Sequence, residues 1–342
     1  MNNYIGTPAS RVDGPAKVTG QAKYAADYNV PNMLYGAVLT STIAKGRIQR
    51  IDTRAALRVK GVVEVLTHES RPKMADNDKA WKDDVAPDKG SPFRPLGDDR
   101  VLFNEQPVAF VLAEDWETAR FAATLIEVEY QREQGQTDIR AERAEAFIVA
   151  KPEKPRGDAP KAFAAAEVKL DAEYFVPTEH HNPMELFAST AVWEGDGKLT
   201  VYDKTQGVQN VQRFLCNVFG LKSENVKVMS PYMGGGFGAA LRPQYQVVLT
   251  VLGAMATKRP VRFVLTRQQM YGLGYRPATI EHLRIGAKRD GTLDAMMHEA
   301  TGVTSTFEAF SRNDTGWGDL LYKTPNSKHT HKLVALDVPT SS

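Results

Sequence analysis

The chain has 342 residues, of which 42% are hydrophobic and 25% charged, with a net charge of +2. This is an ordinary globular composition with length for roughly two domains. It gives no basis for a nucleic-acid or membrane-surface partner, and no apolar run approaches the ~20 residues that cross a bilayer.

In chain order, the first thirty residues are rich in turn formers and read as an extended arm. Residues Met1 to Ile5 lack the basic-then-apolar order of an export signal. Cytoplasm is therefore the default location, and the periplasm applies only if a partner subunit carries the signal. Leu34–Ser41 predicts a strand, Ile51–Val59 a short helix, and Val62–Leu66 a strand. Residues 71–100 are polar and predict a long loop. Pro107–Glu114 (PVAFVLAE) predicts a buried strand, Asp115–Leu125 a helix capped by Asp115, and Ile126–Gln131 another strand. The charged, Pro-containing stretch 133–160 reads as a linker.

Beyond it, Val168–Val176 alternates as a strand. Ala191–Tyr202 predicts a hairpin turning at Glu194-Gly195-Asp196-Gly197. A helix fits Val208–Phe219, stopped by Gly220, and a strand fits Val226–Met229. Then follow the glycine loop, an apolar helix from about Gln244 to Thr257, and a strand at Pro260–Leu265. Two more strands flank Arg289-Asp290-Gly291. The tail from Ser305 to Lys328 is weakly patterned, and Leu333–Val338 predicts a last strand. The expected fold class is α+β: an α/β unit over 1–132, the linker 133–160, and a second unit over 161–342.

Gly234-Gly235-Gly236-Phe237-Gly238 places four glycines in five residues between a strand and a helix. Such a loop removes side-chain bulk, so a large ligand can approach the backbone N–H groups. The plain alternative is a flexible turn. Gly234–Ala239 also satisfies the dinucleotide pattern G-x-G-x-x-A, which would make the chain an NADP-binding reductase. Against that, the strand ending Val264-Leu265-Thr266-Arg267 carries no ribose-binding acid, and Pro243 stands where the phosphate-capped helix should run. Thr205-Gln206-Gly207 ends a strand and opens a helix, where the Gln206 amide either donates to a bound oxygen or is simply solvated. Adjacent His180 and His181 point apart on a strand and lack a third ligand at zinc spacing, so no metal is assigned to them. Glu185, between Met184 and Leu186, is a semi-buried acid: either a functional group or the partner of a base. Cys216, the single cysteine, lies among Val211, Phe214, Leu215 and Val218 and reads as a core thiol. It excludes an internal disulfide and an all-cysteine iron–sulfur cluster within the chain.

The segment Tyr232-Met233-Gly234-Gly235-Gly236-Phe237-Gly238 resembles the cofactor loop of the xanthine dehydrogenase and aldehyde oxidoreductase family. It is most similar to the molybdopterin-cytosine-dinucleotide subunit of three-subunit bacterial aldehyde dehydrogenases. Matching segments run along the chain in order: Arg11–Pro15, Lys17–Gly20, Lys23–Ala25, Asn104–Ala109, Ala119–Tyr130, Met184-Glu185 with Ala188, and Ala191–Trp193.

The resemblance implies a hammerhead-like first domain and, over 161–342, the first part of a molybdopterin-binding domain. It implies hydroxylation of aldehydes or N-heterocycles at molybdenum, with electrons leaving to 2Fe-2S clusters and FAD on partner subunits. Gln206 would lie near the molybdenum oxygens, and the backbone of Gly236, Phe237 and Gly238 against the cofactor. Leu241 would face the substrate, its apolar side chain favouring aldehydes over purines. Two departures stand out. The family loop continues Gly-Lys where this chain has Ala239-Ala240. Family chains also run on as long again, so the general-base glutamate is expected beyond Ser342 and no catalytic residue is assigned within the chain. The expectation is an inactive half-subunit that needs a separate C-terminal chain; the alternative is a non-catalytic scaffold for the flavin and iron–sulfur subunits.

Overall fold

A computed structural model describes residues 5–148, 154–311 and 315–341. The export-signal reading of Met1 to Tyr4, five residues of the predicted linker and three of the tail lie outside them. The first part of the chain forms α1 (Gly14–Val18), β1 (Leu34–Thr40), β2 (Gly46–Asp52), α2 (Arg54–Leu57), β3 (Val62–Thr67), α3 (Asp78–Trp81), β4 (Arg100–Val101), β5 (Pro107–Ala113), α4 (Trp116–Ala123) and β6 (Glu127–Arg132). The second forms β7 (Phe147–Ile148), α5 (Ala159–Ala165), β8 (Val168–Val176), β9 (Glu179–His180), β10 (Ala188–Gly195), β11 (Lys198–Asp203), α6 (Val208–Phe219), β12 (Val226–Met229), α7 (Tyr245–Thr257), β13 (Val261–Val264), β14 (Tyr275–Arg276), β15 (Thr279–Ala287), β16 (Leu293–Ser305), α8 (Gly316–Leu321) and β17 (Ser327–Leu336).

Strands from both parts share one seven-stranded sheet, ordered β12-β11-β10-β13-β1-β5-β3. The seam is the parallel pair β1–β13, with Leu34 opposite Val261. Every residue of β5 is buried, as its unbroken apolar run requires. Gly36 on β1 is needed here because a Cβ would meet the Phe110 ring at 2.4 Å. Helix α4 lays Ala119 and Ala122 on this region, and the Asp115 carboxylate accepts the Thr118 amide as its cap. Helix α7 is buried from Tyr245 to Ala254, and α6 packs its Val211, Phe214, Leu215 and Val218 face into the same core. Gly220 closes α6 in the left-handed conformation. Among the described residues no helix is long and apolar enough to cross a membrane.

A five-stranded sheet, β7-β17-β16-β15-β8, carries most of the later chain, and β4-β2-β6 forms a small third sheet. Several local expectations change. The helix expected over Ile51–Val59 is strand through Asp52 and then only the four-residue α2; the strand pairs with β6, which one-dimensional periodicity does not reveal. The polar 71–100 loop holds α3, capped by Asn77 and burying Trp81. Part of the predicted linker is ordered, since β7 pairs with β17 and α5 begins at Ala159. The last strand starts at Ser327, six residues earlier than its apolar stretch, because β16 supplies a parallel partner along its whole length.

Candidate functional site

The glycine loop lies between β12 and α7, against the ends of β10 and β11. Two side chains hold it. The Glu185 carboxylate accepts the Gly234 amide at 2.7 Å and the Ala25 amide at 3.3 Å, while the Glu185 amide donates to the Gly234 carbonyl at 3.1 Å. At the other end Gln206 Oε1 accepts the Gly238 amide at 3.0 Å. Gly235 and Gly238 take φ of 98° and 96°, and Phe237, with φ of 54°, exposes 69% of its surface. A Cβ on Gly234 would sit 2.6 Å from Glu185 Cβ, and one on Gly236 2.5 Å from Gln206 Oε1. Close approach thus requires glycine at position 234, backbone angle favours it at 235 and 238, and at 236 a Cβ would displace the Gln206 side chain.

The segment after the loop is stitched to the start of α6. Gln206 N donates to the Ala240 carbonyl at 2.9 Å, Thr205 Oγ1 donates to the same oxygen at 3.2 Å, and Asn210 Nδ2 donates to the Leu241 carbonyl at 3.1 Å. Ala239 and Ala240 are buried, and the Leu241 side chain is 40% exposed. The structure therefore gathers Gln206, Gly236, Phe237, Gly238 and Leu241 into one neighbourhood. Helix α7 starts only at Tyr245, after Pro243, so the loop does not open directly into a helix as a dinucleotide loop does.

Charged groups that the sequence did not single out lie behind the loop. Lys204 is 1% exposed, has no hydrogen-bond partner at Nζ among the described residues, and stands 3.8 Å from the centre of the Phe187 ring. Burial lowers its pKa to about 8, against the favourable fields of Glu185 and Asp203. Asp203 accepts Ser189 Oγ at 2.6 Å and is pushed up to about 6 by burial. Burial also raises Glu185, opposed by its two amide donors. Its neighbours are thus backbone amides, with Lys204 acting through its field and not through a hydrogen bond. Arg267 donates to the Asn182 side chain and to the Pro183 and Met184 carbonyls, fixing the segment that carries Glu185. Arg242, just past Leu241, pairs with Asp83 at 2.8 Å and with Glu308 at 2.9 Å, all three nearly buried. A signal was present in the run Asp203-Lys204-Thr205-Gln206, charged residues closing an apolar strand, but its burial was not legible.

Of the other candidates, His181 Nδ1 lies 3.0 Å from the Gly274 carbonyl, and His180 packs against the Tyr271 ring. Among the described residues no three His, Cys, Asp or Glu side chains converge as a metal site. Cys216 is half-buried against the main core, and burial raises its pKa.

Residues 141–342 match the family described as molybdopterin cofactor-binding domain, and residues 19–134 match the aldehyde oxidase and xanthine dehydrogenase a/b hammerhead domain. The chain belongs to the aldehyde oxidase and xanthine dehydrogenase family. It is a molybdopterin-binding member of mixed α/β fold with a hammerhead domain. It is 36% identical to the aldehyde oxidoreductase molybdenum-binding subunit PaoC of Escherichia coli K12, over 98% of this chain and 45% of that protein. It is 27% identical to the putative xanthine dehydrogenase molybdenum-binding subunit XdhA of the same organism, over 94% of this chain and 44% of that one. Among solved structures, the aldehyde oxidoreductase of Desulfovibrio gigas superposes with a TM-score of 0.80 at 26% identity, covering 97% of this chain and 38% of that chain. Quinoline 2-oxidoreductase from Pseudomonas putida 86 shares the fold, with a TM-score of 0.83 at 23% identity over all of this chain and 46% of its own. The chain thus spans less than half the length of these relatives.

The residues present fit a molybdopterin. Gly234 and Gly236 let the loop backbone lie against Glu185 and Gln206, and the loop exposes Phe237. Gln206 uses Oε1 on Gly238, and its Nε2 makes no hydrogen bond among the described residues.

Proposed function

We propose that this chain supplies one wall of a molybdopterin-cytosine-dinucleotide site in an enzyme that hydroxylates aldehydes or N-heterocycles. The observation that carries the reading is the glycine loop clamped between Glu185 and Gln206, with the Phe237 side chain exposed and Leu241 partly exposed just beyond it. When bound, the cofactor supplies molybdenum for two-electron oxidation of an electron-poor carbon. The chain's own residues bind and orient. Gln206 Nε2 would donate a hydrogen bond near the molybdenum, the backbone of Gly236, Phe237 and Gly238 would hold the cofactor, and Leu241 would present an apolar surface that favours aldehydes.

The relatives' greater length supports a second wall, with the general-base glutamate, on polypeptide corresponding to their remaining part. Loss of such a base typically removes about 10²–10⁴ in rate, so the 342 residues by themselves are proposed to be inactive. FAD and 2Fe-2S centres belong on partner subunits; one cysteine cannot hold an all-cysteine cluster.

The test is production in a host that makes the cytosine dinucleotide cofactor, with and without a polypeptide supplying the missing part. Metal analysis and CMP release should show cofactor only in the combined sample. Partner subunits co-purifying without molybdenum would favour a scaffold, and NADPH binding by the chain would favour a reductase.

A further inference from the structure

Lys204 follows β11, and its backbone amide donates to the Ala188 carbonyl at 3.0 Å. Its Nζ lies over the Phe187 ring, on the same segment that carries Glu185. The ammonium is buried, and its lack of a hydrogen-bond partner among the described residues makes it unusual. What compensates it is a ring face and two acids. Burial lowers the Lys204 pKa to about 8; Glu185 and Asp203 oppose that shift, and Arg267 adds to it. Lys204 therefore still carries its charge at neutral pH.

Glu185 spends its two oxygens on two distant segments. Oε2 accepts the Gly234 amide, 49 residues on, and Oε1 accepts the Ala25 amide, 160 residues back. The Ala25 carbonyl in turn accepts Thr190 Oγ1 at 3.0 Å, which seats the N-terminal arm on β10. An ionised carboxylate accepts strongly at both oxygens, whereas protonation turns one of them into a hydroxyl, a weaker acceptor. Burial pushes Glu185 toward the protonated form, and the exposed Asp27 on the arm pushes the same way. The two amides and the field of Lys204 push back. Asp203, the other acid facing Lys204, bonds instead to Ser189 and Gln246 within the core.

We propose that Lys204 is a positioning residue: its buried ammonium keeps the Glu185 carboxyl ionised, and so ties the N-terminal arm and the first residue of the glycine loop to one carboxylate. The consequence for cofactor binding rests on the molybdopterin reading; the charge coupling itself does not.

Glu185 Cδ and Lys204 Cε are followed by NMR against pH in the 342-residue chain, which needs no cofactor. In Lys204→Met the Glu185 midpoint should move to higher pH. Exchange of the Gly234 and Ala25 amides should be about fivefold faster than in the wild type near pH ~6, and fall toward the wild-type rate near pH ~8, where Glu185 is ionised again. A lysine that only filled space would leave a defect that speeds exchange by the same factor at both pH values. Should Lys204→Met not fold, the wild-type chain decides: as pH rises through about 8, Glu185 Cδ should shift a second time, with the midpoint of Lys204 Cε. An unmoved Glu185 midpoint in a folded Lys204→Met chain, an exchange ratio independent of pH, or no second Glu185 inflection in the wild type would overturn the proposal. A chain that never acquires molybdenum would sink the hydroxylase reading and leave this result untouched.

Discussion

Glu185 and Gly234 hold each other through two hydrogen bonds running in opposite senses. The Glu185 amide donates to the Gly234 carbonyl, and the Gly234 amide donates to the Glu185 carboxylate. The first residue of the cofactor loop is therefore fixed by protein groups alone.

Removing that carboxylate strands two amides. Glu185→Ala should cost about 1–3 kcal/mol, read as a lower urea midpoint with unchanged slope. It should also speed hydrogen exchange at Gly234. Glu185→Gln keeps an acceptor oxygen and should lose less than half as much. Equal losses in the two variants would count against the clamp.

At the other end of the loop the contact is softer. Gly236→Ala places a Cβ 2.5 Å from Gln206 Oε1, and Gln206 is exposed enough to swing aside. Overall stability should fall by no more than about 1 kcal/mol. The Gly238 amide, having lost its acceptor, should exchange markedly faster in NMR, while amides of α7 stay unchanged.

Asp203 makes stability depend on pH. Its folded pKa of about 6 lies above the ordinary 3.8, so the folded state holds a proton that the unfolded chain releases. The contribution is fully present below pH ~4 and is lost as pH rises through 6, about 3 kcal/mol in all. Asp203→Asn can still accept from Ser189 and Gln246, and should lack this decline. Denaturant titrations between about pH 4 and 7 give the difference directly, and parallel curves for both proteins would refute the assignment.

Arg242 joins three distant segments, since Asp83 precedes β4 and Glu308 follows β16. Arg242→Met leaves two carboxylates buried without their cation, with an expected loss of about 3–5 kcal/mol. Thermal unfolding should show a fall of many degrees. A fall in stability of less than about 1 kcal/mol would mean that the carboxylates find other partners.

The sequence by itself determined the elements whose periodicity is local. The run PVAFVLAE, the Asp115 cap, the Glu194–Gly197 turn and the Gly220 stop each name their structure through nearest neighbours. It also marked the glycine loop, because four glycines in five residues are a backbone requirement written in composition, while Leu241 and the cofactor role of Gln206 came only from the family resemblance. Tertiary structure alone decided what the loop leans on. Glu185 lies 49 residues before Gly234, and Lys204 and Asp203 change their proton affinity only because packing removes them from water. The single sheet joining β1 to β13 is likewise a long-range pairing, invisible to any local pattern. Position along the chain carries propensity; burial and partner choice arise only when distant segments meet.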